Sequence, residues 1–207
     1  MVLLQVGDEV PEFWCDSTVG SFGYHDMVDG AWGVLVTVGD VFDAVATTEL
    51  GQLAKLVGHF EARDARVTVV VSGSSKDLVQ KWLRQVEKIE DVKVSFPVVV
   101  DADGAVADLF GLRDNRTTLV VLSDIDKRLQ LTMHYPRRTG RNFYEILRAI
   151  DSLQLALFHQ VATPANWADT QDVIVQPHLS TLAARSIFTS GTTDLRPWFK
   201  TTPQPDI

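Results

Sequence analysis

Cysteine is almost absent. The 207-residue chain has one, Cys15, so it cannot close an intramolecular disulfide and carries no mark of an oxidising compartment. Positive charge is also scarce. Nineteen Lys and Arg stand against 27 Asp and Glu, a formal net charge of -8. That balance argues against partners recognised through a basic face, whether a nucleic-acid backbone or an anionic membrane surface. Long apolar runs are missing too, and none approaches the ~20 residues of a membrane span. The segment Met1 to Pro11 has an apolar Val2-Leu3-Leu4, followed closely by Gly7, Asp8 and Glu9. A signal peptide needs a longer apolar stretch behind basic residues. The expectation is a cytoplasmic protein with no nucleic-acid or membrane partner.

What is present describes an ordinary globular chain, 45% hydrophobic and 22% charged, long enough for one full core and a small appendage. Val34–Val38, Val67–Val71, Val98–Val100 and Leu119–Leu122 are short β-branched or aliphatic runs bounded by turns, and predict buried strands. Leu129–Met133 alternates and predicts a half-exposed strand. Between them, apolar residues recur at helical spacing: Leu50, Leu53, Leu56 and Phe60, then Leu78, Trp82, Val86 and Ile89. Val106, Leu109 and Phe110 predict a short helix closed by Gly111. Phe143 to Phe158 predicts a long amphipathic one. Strands alternating with helices, then a hairpin-like pair and a long helix, indicate an α/β sandwich. After about Ala162 the prolines multiply, at 164, 177, 197, 203 and 205. Trp167, Trp198 and Phe199 are too many aromatics for a disordered tail, so a small ordered subdomain is expected there. No internal repeat is visible.

Several segments, in order along nearly the whole chain, resemble the 1-Cys peroxiredoxin family (AhpC/TSA-like). They include Val6-Gly7-Asp8-Glu9-Val10-Pro11-Glu12-Phe13, Trp32-Gly33-Val34-Leu35, Thr47-Thr48-Glu49-Leu50-Gly51 and Tyr135-Pro136. Thr139-Gly140-Arg141-Asn142-Phe143, Val161-Ala162-Thr163-Pro164-Ala165-Asn166-Trp167 and the ending Thr202-Pro203-Gln204-Pro205 fit as well. The resemblance implies an α/β thioredoxin-like peroxiredoxin fold over residues 1–160. A small C-terminal subdomain of the peroxiredoxin type follows over 161–207. It also implies a two-fold homodimer to which residues beyond about Val161 contribute.

The departures from that family concern its chemistry. Its active-site turn carries a proline, a threonine and then the peroxidatic cysteine. In Val38-Gly39-Asp40-Val41-Phe42-Asp43-Ala44-Val45-Ala46 the resemblance puts Gly39 at the proline, Asp43 at the threonine and Ala46 at the cysteine. Val38 replaces a histidine. Thr118 stands at the arginine that lowers the thiol pKa, and the nearest arginine is Arg116. A thiol peroxidase needs a thiolate stabilised by a cation and a helix N-terminus. Ala46 offers no nucleophile, and an acidic Asp43 would work against a thiolate. A second, lipase-like site seen in some members would need a serine where Ala31 stands, beside His25 and Asp126. Without the hydroxyl, acyl transfer there is excluded, and His25 reads as structural.

Glu49 and Arg141 survive and are expected to pair, either as a buried brace or with Arg141 offered to an anionic or carbonyl ligand. Asp43 reads as a helix N-cap or as a general acid or base. Asp40 and Asp43 are paired carboxylates that could bind a metal, but no His or Cys stands beside them, and no metal or cofactor is expected. Arg137 and Arg138 read as a solvated loop or as steering for an acidic ligand. Cys15 reads as a small buried hydrophobe on a strand. Three functions stay open. One is a pocket repurposed for cofactor-independent conversion of a small, oxygenated or peroxidic metabolite, as in a biosynthetic pathway. Its catalytic residues would be Asp43, Arg141 and Glu49, with Val38, Gly39, Asp40, Phe42, Ala46 and Thr118 around them. Another is a non-catalytic dimeric binding or scaffold protein, its pocket filled by Val38, Val41 and Phe42. The last is a residual antioxidant role at a non-standard site.

Overall fold

A computed structural model describes residues 4–112 and 116–206. The chain divides into two compact units, Met1–Phe143 and Tyr144–Ile207.

The first unit opens with a short hairpin, β1 (Trp14–Cys15) and β2 (Phe22–Gly23), and a single turn, α1 (Tyr24–Met27). Then come β3 (Trp32–Val38), α2 (Ala44–Glu61), β4 (Ala65–Ser72), α3 (Lys76–Glu90), β5 (Val98–Asp101), α4 (Ala105–Leu109), β6 (Thr117–Ser123) and β7 (Leu129–Pro136). Five strands form one sheet in the order β5-β4-β3-β6-β7. β3 pairs parallel to β4 and antiparallel to β6, so the predicted Val34–Val38 run lies at the centre of a mixed sheet. Every residue of β3 is buried, as a strand covered on both faces requires. β7, at the edge, is only partly buried, matching its alternating sequence.

α2 buries Ala46, Leu50, Leu53, Leu56 and Phe60 along one stripe. α3 is capped by Ser75, whose side chain accepts from the Leu78 N–H, and ends at Asp91 in the left-handed region, φ 53°. Both are helix-end devices that satisfy or release orphaned backbone groups. One apolar cluster of this unit gathers Val10, Phe13, Tyr24, Leu35, Val70, Val99 and Val121, with Phe13 stacked on Tyr24 at a centroid distance of 5.0 Å.

The second unit contains α5 (Phe143–Phe158, which begins at the last residue of the first), β8 (Val161–Ala162), β9 (Val173–Val175), α6 (Thr181–Ile187), β10 (Thr193–Arg196) and β11 (Phe199–Thr202). Its four strands run in the order β10-β11-β9-β8, antiparallel throughout. Leu155, Val161, Trp167, Val173, Val175, Ala184 and Phe188 make its core. The tail is therefore ordered, as its aromatics suggest. Trp167 is buried and its indole N–H donates to the Gln171 carbonyl at 3.1 Å. Trp198 behaves differently: it is 69% exposed and stacks on Phe199 at 5.7 Å.

Candidate active site at the start of the second helix

The sequence turns sharply between the end of β3 and α2, and three side chains hold that turn. Asp43 is the N-cap of α2, its Oδ1 accepting the Ala46 N–H at 2.9 Å. The Thr47 hydroxyl donates to the Asp43 carbonyl at 2.7 Å. The buried indole of Trp82 on α3 donates in turn to Thr47 Oγ1 at 3.0 Å. The first of these bonds satisfies a backbone donor that a helix start leaves open, and the other two tie the cap residue to α3. Phe42, just before the cap, has φ 62° and is 55% exposed. A bulky residue in the left-handed region is strained, by about 1–3 kcal/mol, and its ring turns to solvent rather than into the fold.

Two ionic clusters flank this turn. In the buried one, Arg141 and Glu49 pair bidentately: Nε donates to Oε1 at 2.9 Å and Nη2 to Oε2. The Arg141 backbone N–H also donates to Oε1, at 3.0 Å. Nη1 donates to the carbonyls of Thr37 on β3, at 2.8 Å, and Leu119 on β6, at 3.3 Å. The guanidinium lies 5.9 Å from the centroid of the Phe143 ring, within cation–π range. The Arg141 side chain has 0% exposure. Thr37 Oγ1 closes the arrangement by accepting the Leu119 N–H at 2.8 Å.

The other cluster is half exposed. Arg137, just after β7, places Nη2 2.6 Å from Asp40 Oδ2 and 3.5 Å from Asp43 Oδ2. Its side chain lies over Gly39. A Cβ at residue 39 would come within 2.8 Å of Arg137 Nε and 3.3 Å of Cζ. Glycine is what admits the guanidinium here.

Beside this cluster a cavity of about 540 Å³ is lined by Asp43, Arg116, Pro136, Arg137 and Arg138. Another, of about 300 Å³, is lined by Thr37, Val38, Ser72 and Gly73 from β3 and β4, with residues of the β5–α4 turn, α4 and Thr117. The expected site residues thus separate. Asp43 lines the larger cavity, and Val38 the smaller. Asp40 pairs with Arg137, and Gly39 lies beneath it. Ala46 is buried, 2% exposed, in the first turn of α2. Thr118 is buried on β6 opposite Tyr135. Phe42 lines neither cavity, nor do Glu49 and Arg141.

Arg137 and Arg116 were not among the expected pocket residues. The sequence held only an indirect hint: Gly39, where the resemblance puts proline, leaves space over the turn without indicating what fills it. Among the described residues no group of three His, Cys, Asp or Glu is placed to hold a metal. Cys15 is partly buried on β1, and burial, with Asp16 and Glu12 nearby, pushes its thiol up to about 11. His25 sits between the Val10 carbonyl, 2.7 Å from Nε2, and Glu12 Oε2, 3.2 Å from Nδ1, which accords with a structural role. Ala31 is buried.

A five-stranded sheet with a helix starting at the end of its central strand defines a thioredoxin-like chain of the peroxiredoxin type. The AhpC/TSA family model matches residues 6–130, and the model for the C-terminal domain of 1-Cys peroxiredoxin matches 152–189. The chain belongs to the 1-Cys peroxiredoxin family. A "1-Cys peroxiredoxin" of Dictyostelium discoideum is 38% identical over 98% of this chain and 86% of its own. Peroxiredoxin-6 of Gallus gallus is 35% identical over 98% and 99%. The structure of a yeast mitochondrial 1-Cys peroxiredoxin superposes with a TM-score of 0.90 at 30% identity, covering 97% of this chain and 100% of that one. A cysteine-to-serine mutant of the peroxiredoxin 6 of Arenicola marina gives 0.89 at 33%, covering 99% and 100%. Among the described residues no helix is long and apolar enough to cross a membrane.

Proposed function

We propose that this peroxiredoxin-family chain has no thiol peroxidase activity and that its pocket carries out cofactor-independent conversion of a small oxygenated metabolite. The observation that carries this reading is the first turn of α2. Ala46 stands there with its N–H bound by the Asp43 carboxylate, so neither a thiol nor a free N–H to stabilise a thiolate is offered. The only cysteine, Cys15, has its thiol pushed up to about 11, away from the reactive range.

Asp43 is the acid–base group in this reading. One carboxylate accepts up to about four hydrogen bonds, and beyond the cap it keeps acceptor capacity toward the cavity it lines. As base it takes a proton from a carbon beside oxygen. In a dehydration, the C–H electron pair forms C=C as hydroxide leaves the neighbouring carbon, and the proton held by Asp43 passes to that hydroxide to give water. In a peroxidic substrate, the C–H electron pair forms C=O as the O–O bond breaks, and the departing oxygen takes the proton back. Both outcomes balance without an external oxidant or reductant. Glu49 and Arg141 act as positioning residues, bracing Thr37 and Leu119 beneath the turn. The scaffold alternative expects Val38, Val41 and Phe42 to fill the pocket. The exposed Phe42 and the charged lining of the larger cavity favour the catalytic reading.

A second copy of the chain is the expected partner. The exposed Trp198–Phe199 stack, with Leu182 and Ile187 also exposed in the second unit, supports a contact surface there. Light scattering should return a dimeric mass, and a monomeric one would remove the homodimer. Catalysis is tested by incubating wild type and Asp43→Asn with small-metabolite extracts of the native host and following them by chromatography and mass spectrometry. A wild-type-dependent isomerisation or loss of water that slows about a hundredfold or more in Asp43→Asn is expected. No conversion, or conversion equal in both, would overturn the reading.

A further inference from the structure

The larger cavity is unusual in its charge. Arg116, Arg137 and Arg138 line it with one carboxylate, Asp43, in a volume of about 540 Å³. That volume suits a small organic ligand, whose pockets span roughly 300–1,000 Å³. The arginines differ in what holds them. Arg137 is tied to Asp40 and Asp43, which fixes its fork at the rim. Arg138, the next residue, is exposed, and among the described residues no carboxylate pairs with it.

We propose that this cavity is a carboxylate-binding site, and that the substrate is a small monocarboxylic acid anchored by Arg138 and Arg137 with its remaining body directed past Pro136 to Asp43. The inference rests on reading the pocket as a metabolite site. Arg137 is already shared between Asp40 and Asp43, whereas Arg138 has no carboxylate partner among the described residues, so one guanidinium charge is offered to a ligand. A carboxylate neutralises that charge, whereas a phosphate dianion leaves an excess. The planar guanidinium fork matches two carboxylate oxygens. Gly39 belongs to the same device. It leaves the space in which the Arg137 side chain lies, and a methyl group there would meet Nε at 2.8 Å. The contact is with the far end of a flexible side chain, so Gly39→Ala displaces the guanidinium and leaves the backbone in place.

Benzoate, benzamide and inorganic phosphate, titrated into the full chain at low ionic strength and followed by NMR chemical shifts, test this without any turnover assay. Saturable benzoate binding is expected, with neutral benzamide and phosphate each about tenfold weaker or more. Benzoate should weaken by about tenfold in Arg138→Gln and should also weaken in Gly39→Ala, with the circular dichroism of both variants unchanged. Asp43→Asn should bind benzoate at least as well as wild type. Benzoate binding without turnover of any metabolite would leave the carboxylate site standing while the catalytic reading fails. Absent benzoate binding, equal binding of benzoate and benzamide, tighter phosphate, or indifference to both Arg138→Gln and Gly39→Ala would each overturn the site.

Discussion

The two ionic clusters beside α2 are built from the same chemistry and do different work. In the Glu49–Arg141 pair both carboxylate oxygens and most guanidinium donors are used within the fold, and the arginine side chain is fully buried. Around Arg137, two carboxylates share one guanidinium at a half-exposed rim, and a cavity opens beside them. A closed cluster braces a strand against a helix and has nothing left for a ligand. An open one has spare donors and acceptors and room to present them. The family frame supplies the first, and Gly39 makes room for the second.

Breaking the closed cluster should have the largest effect. Arg141→Met leaves the Glu49 carboxylate buried without its partner, and should destabilise by about 3–5 kcal/mol in urea denaturation. Removing both charges, with Glu49→Leu added, should recover much of that loss. If Arg141→Met alone unfolds at the wild-type midpoint, the buried brace is not one.

Next comes the thiol that stands outside both clusters. With Cys15 raised from 9.0 to about 11, its thiolate at any pH below about 9 is roughly a hundredfold scarcer than that of an ordinary cysteine. Iodoacetamide alkylation should therefore keep rising with pH through 9 and 10, with its midpoint near 11. A midpoint near 9 would mean that the thiol is unperturbed.

The open cluster should be cheaper to disturb. Asp43→Ala removes the cap and should cost about 1 kcal/mol, while Asp43→Asn should cost only a few tenths. Thermal denaturation of the pair separates capping from charge, and an Asn variant as unstable as Ala would make the Arg137 contact the larger contribution. Smallest of all, Arg137→Gln should change stability by about 0–1 kcal/mol, as half-exposed ion pairs do. A larger loss would place Arg137 with Arg141 as part of the brace and erase the contrast.

The strands and helices of the first unit were legible because their signals are local. Val34–Val38 reads as a central strand from five apolar or β-branched residues in a row, and that is where it lies. The Asp43 cap and the Glu49–Arg141 pair were also within reach, one from its place before a helix and the other from the family frame. Arg137 was not. Its partners Asp40 and Asp43 lie on a different strand connection, and the sequence offers a dibasic step that reads equally as solvated loop. Only the meeting of β3 and β7 ends across β6 in the sheet makes it a site residue. Phe42 misled in the other direction. Its size suggests burial, yet it follows a strained turn outward.

The proposed absence of thiol peroxidase chemistry in this peroxiredoxin-family chain is tested by hydrogen peroxide consumption in the presence of dithiothreitol, measured for wild type and Cys15→Ser. Both should match a heat-inactivated control. Turnover well above that control, abolished by Cys15→Ser, would show that the chain is a thiol peroxidase after all.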